Sequence, residues 1–198
     1  IAKKDDLNED GFVDTIIKLE KSISRNIPDI NSFYIDNFDI PSGFLVSGEN
    51  NYRFVLDVFS AHNFIPVISI DRNNAHIVAV YDAKVSGALS SDVLAVRMAY
   101  PDFELYGAIR EEIIGVLDST IHEFSEVDLI LDCRYCASLN PDLIGPKIVD
   151  FIDSFVAEYA IRKVILTGST IPPSVGDMLD VNSHGEFVRN ELAIFREV

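Results

Sequence analysis

The residues with the clearest chemical potential in this 198-residue chain are polar side chains that follow short apolar runs. Asp36 and Asp39 close the first run, Asp71 and Arg72 the second, and Asp132, Cys133 and Arg134 the fourth. Arg97 lies inside the third, with Tyr100 and Asp102 just beyond it. The fifth ends in Thr167, Gly168, Ser169 and Thr170. If the runs are parallel strands, their carboxyl ends share one face, and sites form there in parallel α/β architectures. A mouth ringed by Asp36, Asp71, Arg97, Asp132 and Ser169 could share a proton between carboxylates or hold a divalent cation. An arginine there could clamp an anionic ligand. The plainer alternative is that polar residues follow strands because the chain is entering a loop. Arg97 separates the two readings best, because a guanidinium inside an apolar strand needs a partner. Asp132 or Asp71 could supply one in a purely structural pair, and buried charges also mark functional sites.

Other motifs point to less. LTGST (residues 167–170 with Leu166) has the composition of a phosphate loop, but the GxxxxGK[ST] pattern is absent and Pro172-Pro173 prevents a helix from starting there. Cys133-Arg-Tyr-Cys136 is a lone CxxC. Zinc takes four ligands and no second pair exists, so no metal is expected and the thiols are expected reduced. His62, His76, His122 and His184 form no metal-spaced pair, and neither GxSxG nor HExxH occurs. No cofactor and no catalytic residue can be named on these grounds.

The elements that must position these residues follow from periodicity. Runs at residues 32–38, 64–71, 92–99, 127–133 and 163–169 are short and rich in β-branched or aromatic residues, several of them apolar on both faces. Helical spacing places Phe12, Ile16, Leu19 and Ile23 on one stripe over 11–24. It does the same for Ile109, Ile113, Val116 and Leu117 over 106–124, and for Ile144, Ile148, Phe151, Ile152 and Phe155 over 142–161. Asn140-Pro141-Asp142 suits a helix entry. Weaker helices are expected over 51–63, over 75–84 (β-branched enough to be a strand) and from 186 to the C-terminus. Residues 40–50 read as a loop. Alternating strands and helices predict one α/β domain over 1–198 with parallel strands, as a TIM-like (β/α) barrel or an open doubly wound sheet. The opening helix has no strand before it, as expected of a barrel incomplete at its N-terminus.

The net charge is −16, which repels nucleic-acid backbones and anionic membranes and suits a basic protein partner, a cation or plain solubility. No run approaches the about 18 apolar residues of a membrane span, and the opening IAKKDDLNED has no signal-peptide core. With only two cysteines, a reducing compartment, the cytoplasm, is expected.

The C-terminal half carries a recognisable pattern. A strand with an arginine (LAVRM, Arg97) is followed by a strand ending in aspartate (Asp132). Then comes VILTGST running into IPPSV, and after a spacer Glu186-Phe-Val-Arg189-Asn-Glu191. Over residues 92–198 this resembles the phage Beta-protein family, encoded by phages and bacteria. The family's opening strand, with its Pro-Ile/Leu and basic residues, is not visible. The resemblance implies a (β/α) barrel and the site set Arg97, Asp132, Ser169, Arg189 and Glu191, without a reaction. Arg189, carried on the helix after the long loop 171–185, is expected to fold toward Arg97 and Asp132. The leading expectation is a phage- or defence-associated protein with a protein-interaction or ligand-binding role. The alternative is an enzyme acting on an anionic or phosphorylated small molecule through the Asp/Arg mouth. A nucleic-acid enzyme is disfavoured by charge.

Overall fold

The structure, a computed structural model, describes residues 8–28, 32–174, 176, 178–180 and 182–198. The side chains of Glu112, Val116 and Ser119 are also outside the description, so the expected place of Val116 on its helix stripe is not assessed. The same holds for the first seven residues of the polar N-terminus and for Val175, Asp177 and Val181 of the long loop. Five strands, β1 (Phe33–Ile35), β4 (Phe64–Ile68), β5 (Val93–Ala99), β6 (Glu126–Tyr135) and β7 (Ile161–Ser169), form a parallel α/β sheet in that order. Among the described residues these strands follow chain order without reversal, without the topological switch point of a doubly wound sheet. The chain divides into two compact units, residues 1–95 with 116–125, and residues 96–115 with 126–198.

In the first unit, α1 (Glu9–Asn26) begins where the Asn8 side chain accepts the Gly11 N–H at 2.8 Å. Glu9 and Asp10 in its first turn and Arg25 in its last suit the helix dipole. Its one buried residue, Phe12, meets the Phe44 ring edge to face at 5.3 Å. Strand β1 (Phe33–Ile35) runs parallel to β4 (Phe64–Ile68), with Phe33 opposite Phe64. The stretch expected to be a loop contains a small hairpin, β2 (Leu45–Val46) and β3 (Glu49–Asn50). Ser47 and Gly48 at its turn have φ of 52° and 82°, the left-handed pair that a tight hairpin turn requires.

Asn50 and Asn73 cap α2 (Asn51–Val58) and α3 (Asn74–Val85). The ambiguity over α3 is resolved by that cap: its β-branched residues fit a helix once Asn73 accepts the His76 N–H at 3.1 Å. Helix α2 carries Tyr52, which is fully buried and ties the two strands together. Its hydroxyl donates to the Ile35 carbonyl at 2.6 Å and accepts the Val67 N–H at 3.0 Å. His76 stacks on the Tyr52 ring at 4.2 Å and bonds the Val67 carbonyl at 3.2 Å.

In the second unit, α4 (Tyr100–Glu104) and the first part of α5 (Tyr106–Ile121) follow the end of β5. Strand β6 (Glu126–Tyr135) runs parallel to β7 (Ile161–Ser169). Between them α6 (Pro141–Val156) starts at Asn140 and Pro141, as their chemistry suggests, and Asn140 accepts the Asp142 N–H at 3.0 Å. It holds the whole apolar stripe to Phe155 but ends at Val156, before the expected bound at 161, because Ile161 belongs to β7. Tyr106, Phe151, Phe155 and Tyr159 form a chain of ring contacts with centroids 4.8–5.5 Å apart. The last helix, α7 (Asn190–Glu197), crosses α6 at Gly145, where a Cβ would lie 2.4 Å from that of Glu197. Among the described residues no helix is long and apolar enough to cross a membrane.

His76 makes acid sensitivity a property of the first unit. Burial pushes its pKa down to about 4, against an unfolded value of about 6.5, with Arg72 acting in the same direction and Asp71 and the Val67 carbonyl opposing. The unfolded chain therefore binds the extra proton between those values. Stability that is full above pH 6.5 is lost as the pH falls toward 4. Urea midpoints are expected to fall between pH 7 and pH 5. His76→Phe, which keeps a ring against Tyr52, is expected to cost about 1 kcal/mol at pH 7 through the lost hydrogen bond and to show a visibly smaller drop. An equal drop in both proteins would remove His76 as the cause.

Candidate functional site

Asp132 is the centre of the second unit's strand ends. It is paired in register with Thr167 across the β6–β7 ladder, with its side chain largely buried. Three donors reach it. Arg97 Nη2 donates to Oδ2, the Arg134 backbone N–H to Oδ1 at 2.8 Å, and Thr167 Oγ1 to Oδ1 at 3.2 Å. A carboxylate that takes an N–H two residues ahead folds its own backbone into a turn. Here Arg134 adopts φ 50° and the β6–β7 register shifts between Asp132 and Tyr135. Arg97, its side chain also largely buried, thus finds the partner that its apolar strand demanded, and of the two candidates it is Asp132.

The bulged end of β6 and the end of β7 border an open concavity of about 450 Å³. Asp132, Arg134 and Tyr135 line one side, Thr167, Gly168 and Ser169 the other, with Ile171 and Pro173 beyond. Ser169 is at this rim, but its hydroxyl is used locally: it accepts the Ile171 N–H at 3.0 Å and donates to the Ile171 carbonyl at 2.8 Å. Arg189 departs from expectation. It is the N-cap residue of α7, not part of the helix, and it pairs with Glu191 two residues on, not with Asp132. Glu191 also accepts the Thr170 hydroxyl, and these two contacts, Thr170 first, hold its carboxyl down at about 2. Asp36 and Asp71 belong to the first unit, exposed just beyond the ends of β1 and β4. There the Asp36 charge acts through space on Tyr52, and the Asp71 charge on His76.

The two cysteines are free and buried. Burial first, then the neighbouring Cys136 and Asp132, push the Cys133 thiol up to about 12, far from a reactive thiolate. Gly168 packs over both: a Cβ there would lie 3.2 Å from Cys133 Cβ and 3.4 Å from Cys136 Sγ. The glycine of LTGST thus serves a close approach of β7 to β6. Among the described residues no group of three or more His, Cys, Asp and Glu is placed to hold a metal ion.

Three features are not evident from residue spacing. Asp128 is fully buried near the opposite end of β6 and takes two hydrogen bonds from Arg162, at 2.8 and 2.6 Å. A carboxylate inside an apolar run is its signal, the same kind that marks Arg97. Asn190 clamps the start of α7 by donating to the Cys136 and Leu139 carbonyls, both at 2.6 Å, and its N–H reaches Thr170 Oγ1 at 2.8 Å. Arg134 enters through its backbone, which residue type does not reveal.

Because the Arg97–Asp132 pair is largely desolvated, truncating one partner leaves the other charge without its match. Arg97→Ala is expected to cost about 3–5 kcal/mol and Asp132→Asn somewhat less, since the amide oxygen still accepts from Arg134 and Thr167. Circular dichroism melts would show both as lowered midpoints. Unchanged midpoints would refute a structural role for the pair.

A comparison with protein families matches residues 6–198 to the family described as Beta protein. The match extends well before the residues 92–198 whose motifs resemble that family. No curated protein and no solved structure matches the chain significantly. With nearly its whole length matched, the chain belongs to the Beta protein family.

Proposed function

We propose that this protein is a binding module whose concavity at the ends of β6 and β7 receives a segment of a basic protein partner. The observation that carries the reading is the occupancy of Asp132: both oxygens already accept donors, and Arg97 matches its charge. Such a carboxylate is a fixed part of the wall, with both oxygens already engaged by the chain's own donors. Around it the rim offers contact surface. Tyr135 is 49% and Ile171 52% exposed, and an aromatic with an aliphatic neighbour at an open hollow is the composition of a recognition patch. The net charge of −16 favours a basic partner and makes association faster at low salt.

The unreversed strand order supports reading the scaffold as part of a (β/α) barrel, whose loops at the carboxyl ends of the strands vary to suit different ligands. Free, buried thiols suit a cytoplasmic setting.

The test is co-purification from the native host with mass spectrometry, comparing wild type with Tyr135→Ala and Ile171→Asp. The expected result is a basic protein that is captured by wild type, released by salt and lost from both variants. Identical capture by all three would reject the reading. Titration with inorganic phosphate gives the other arm: saturable binding abolished by Arg134→Ala would favour an enzyme or receptor for phosphorylated small molecules instead.

A further inference from the structure

Among the described residues, the concavity at the ends of β6 and β7 is bordered by one acidic side chain, Asp132, and that charge is already matched by Arg97. The other charged residue on this border, Arg134, has the same sign as an incoming lysine or arginine. A cationic side chain entering the hollow would shed water without gaining a counter-charge. The hydroxyls on β7 are committed in the same way. Thr167 Oγ1 donates to Asp132 Oδ1 at 3.2 Å. The Ser169 hydroxyl is used by the Ile171 N–H and carbonyl, at 3.0 and 2.8 Å. The Ser169 carbonyl accepts the Cys136 N–H at 2.9 Å. A polar group brought in would find these partners taken, and a buried polar group left without a hydrogen bond opposes binding. What the hollow offers is apolar: the Tyr135 ring, Ile171 and Pro173, with Gly168 adding no side chain.

Resting on the binding-module reading, we propose that the occupant of the hollow is one uncharged aromatic side chain of the basic partner, whose positive charges stay outside it. The net charge of −16 attracts those charges without any of them entering. The open volume of about 450 Å³ has room for the largest side chain. An aromatic ring brings much apolar area for few rotatable bonds, and it can lie offset or edge to face on Tyr135. The wall is set before the partner arrives. Three donors hold Asp132, and the left-handed turn at Arg134 follows from one of them. Little order has to be created on binding, which favours affinity. Attraction and anchoring are then carried by different features. Charge sets the rate of encounter and its salt dependence, and the buried ring sets how long the complex lasts.

Indole, a neutral aromatic probe, is expected to bind the full chain saturably, with a dissociation constant on the order of millimolar for so small a molecule. In nitrogen–proton correlation spectra it is expected to shift the amide signals of Tyr135, Gly168 and Ile171. Methylguanidinium, which carries the head group of an arginine, is expected to leave those signals in place. Tyr135→Ala is expected to weaken indole about tenfold, as for a truncated contact residue at the centre of an interface. Raising salt from about 0.1 M to about 1 M, over which the Debye length falls from about 10 Å to about 3 Å, is expected to release the partner without weakening indole. Indole shifts that are absent, or scattered over the surface, overturn the proposal whether or not Tyr135→Ala folds. So does methylguanidinium bound at the same amides with equal strength. Capture of a basic partner by a protein that does not bind indole removes the aromatic anchor and leaves the binding-module reading in place. Indole bound at the hollow with no partner captured supports the anchor and counts against that reading.

Discussion

The second unit depends on one polar requirement: Arg97, in an apolar strand, must have a counter-charge, and Asp132 provides it. Once Asp132 is turned inward, its other oxygen is available to the chain around it, and the Arg134 N–H and Thr167 hydroxyl take that place. The first of these bends β6 into its left-handed turn, and the second fixes β7 beside it in register. Tyr135 and the concavity are consequences of that bend. A single ion pair therefore reaches from strand composition to the shape of the surface that a partner would meet. Its net worth in stability is modest, because desolvation offsets much of the attraction; its larger effect is to specify one arrangement over others.

The first unit solves the equivalent problem without charge. Tyr52 inserts its hydroxyl between β1 and β4, donating to one strand and accepting from the other, while its ring supports His76. A buried hydroxyl satisfied on both sides carries little penalty, whereas a phenylalanine there would leave the Ile35 carbonyl and the Val67 N–H short of a partner. The acid sensitivity of His76 is a by-product of that packing, since the same burial that excludes water from Tyr52 disfavours the imidazolium.

Much of this is legible in the sequence, and the reasons differ by element. Runs such as FIPVISID announce themselves because a parallel strand covered on both sides needs apolar residues on both faces, and β4 is buried throughout. Helix α6 is visible twice over, in its stripe and in Asn140-Pro141. Helix α3 is ambiguous because β-branched residues favour a strand locally, and only the Asn73 cap and its tertiary packing decide for a helix. The hairpin at Ser47-Gly48 escapes notice because its strands are two residues long, too short for any period to show. At the site, Arg97 and Asp132 are found by the cost of burying charge. Arg189 is misplaced because a motif conveys spacing, not which neighbour a flexible guanidinium will choose, and Glu191, two residues away, is nearer to hand.

Arg97 and Asp132 should therefore act as one coupled unit that fixes the ends of the strands. A double-mutant cycle built from Arg97→Ala, Asp132→Asn and the combined variant, measured by urea unfolding, puts that coupling to a direct test. The second substitution is expected to add little once the first is made, giving a coupling energy of about 2–3 kcal/mol, in the upper range for residues in direct contact. Additive costs, with coupling near zero, would contradict it and would mean that the two residues support the fold independently.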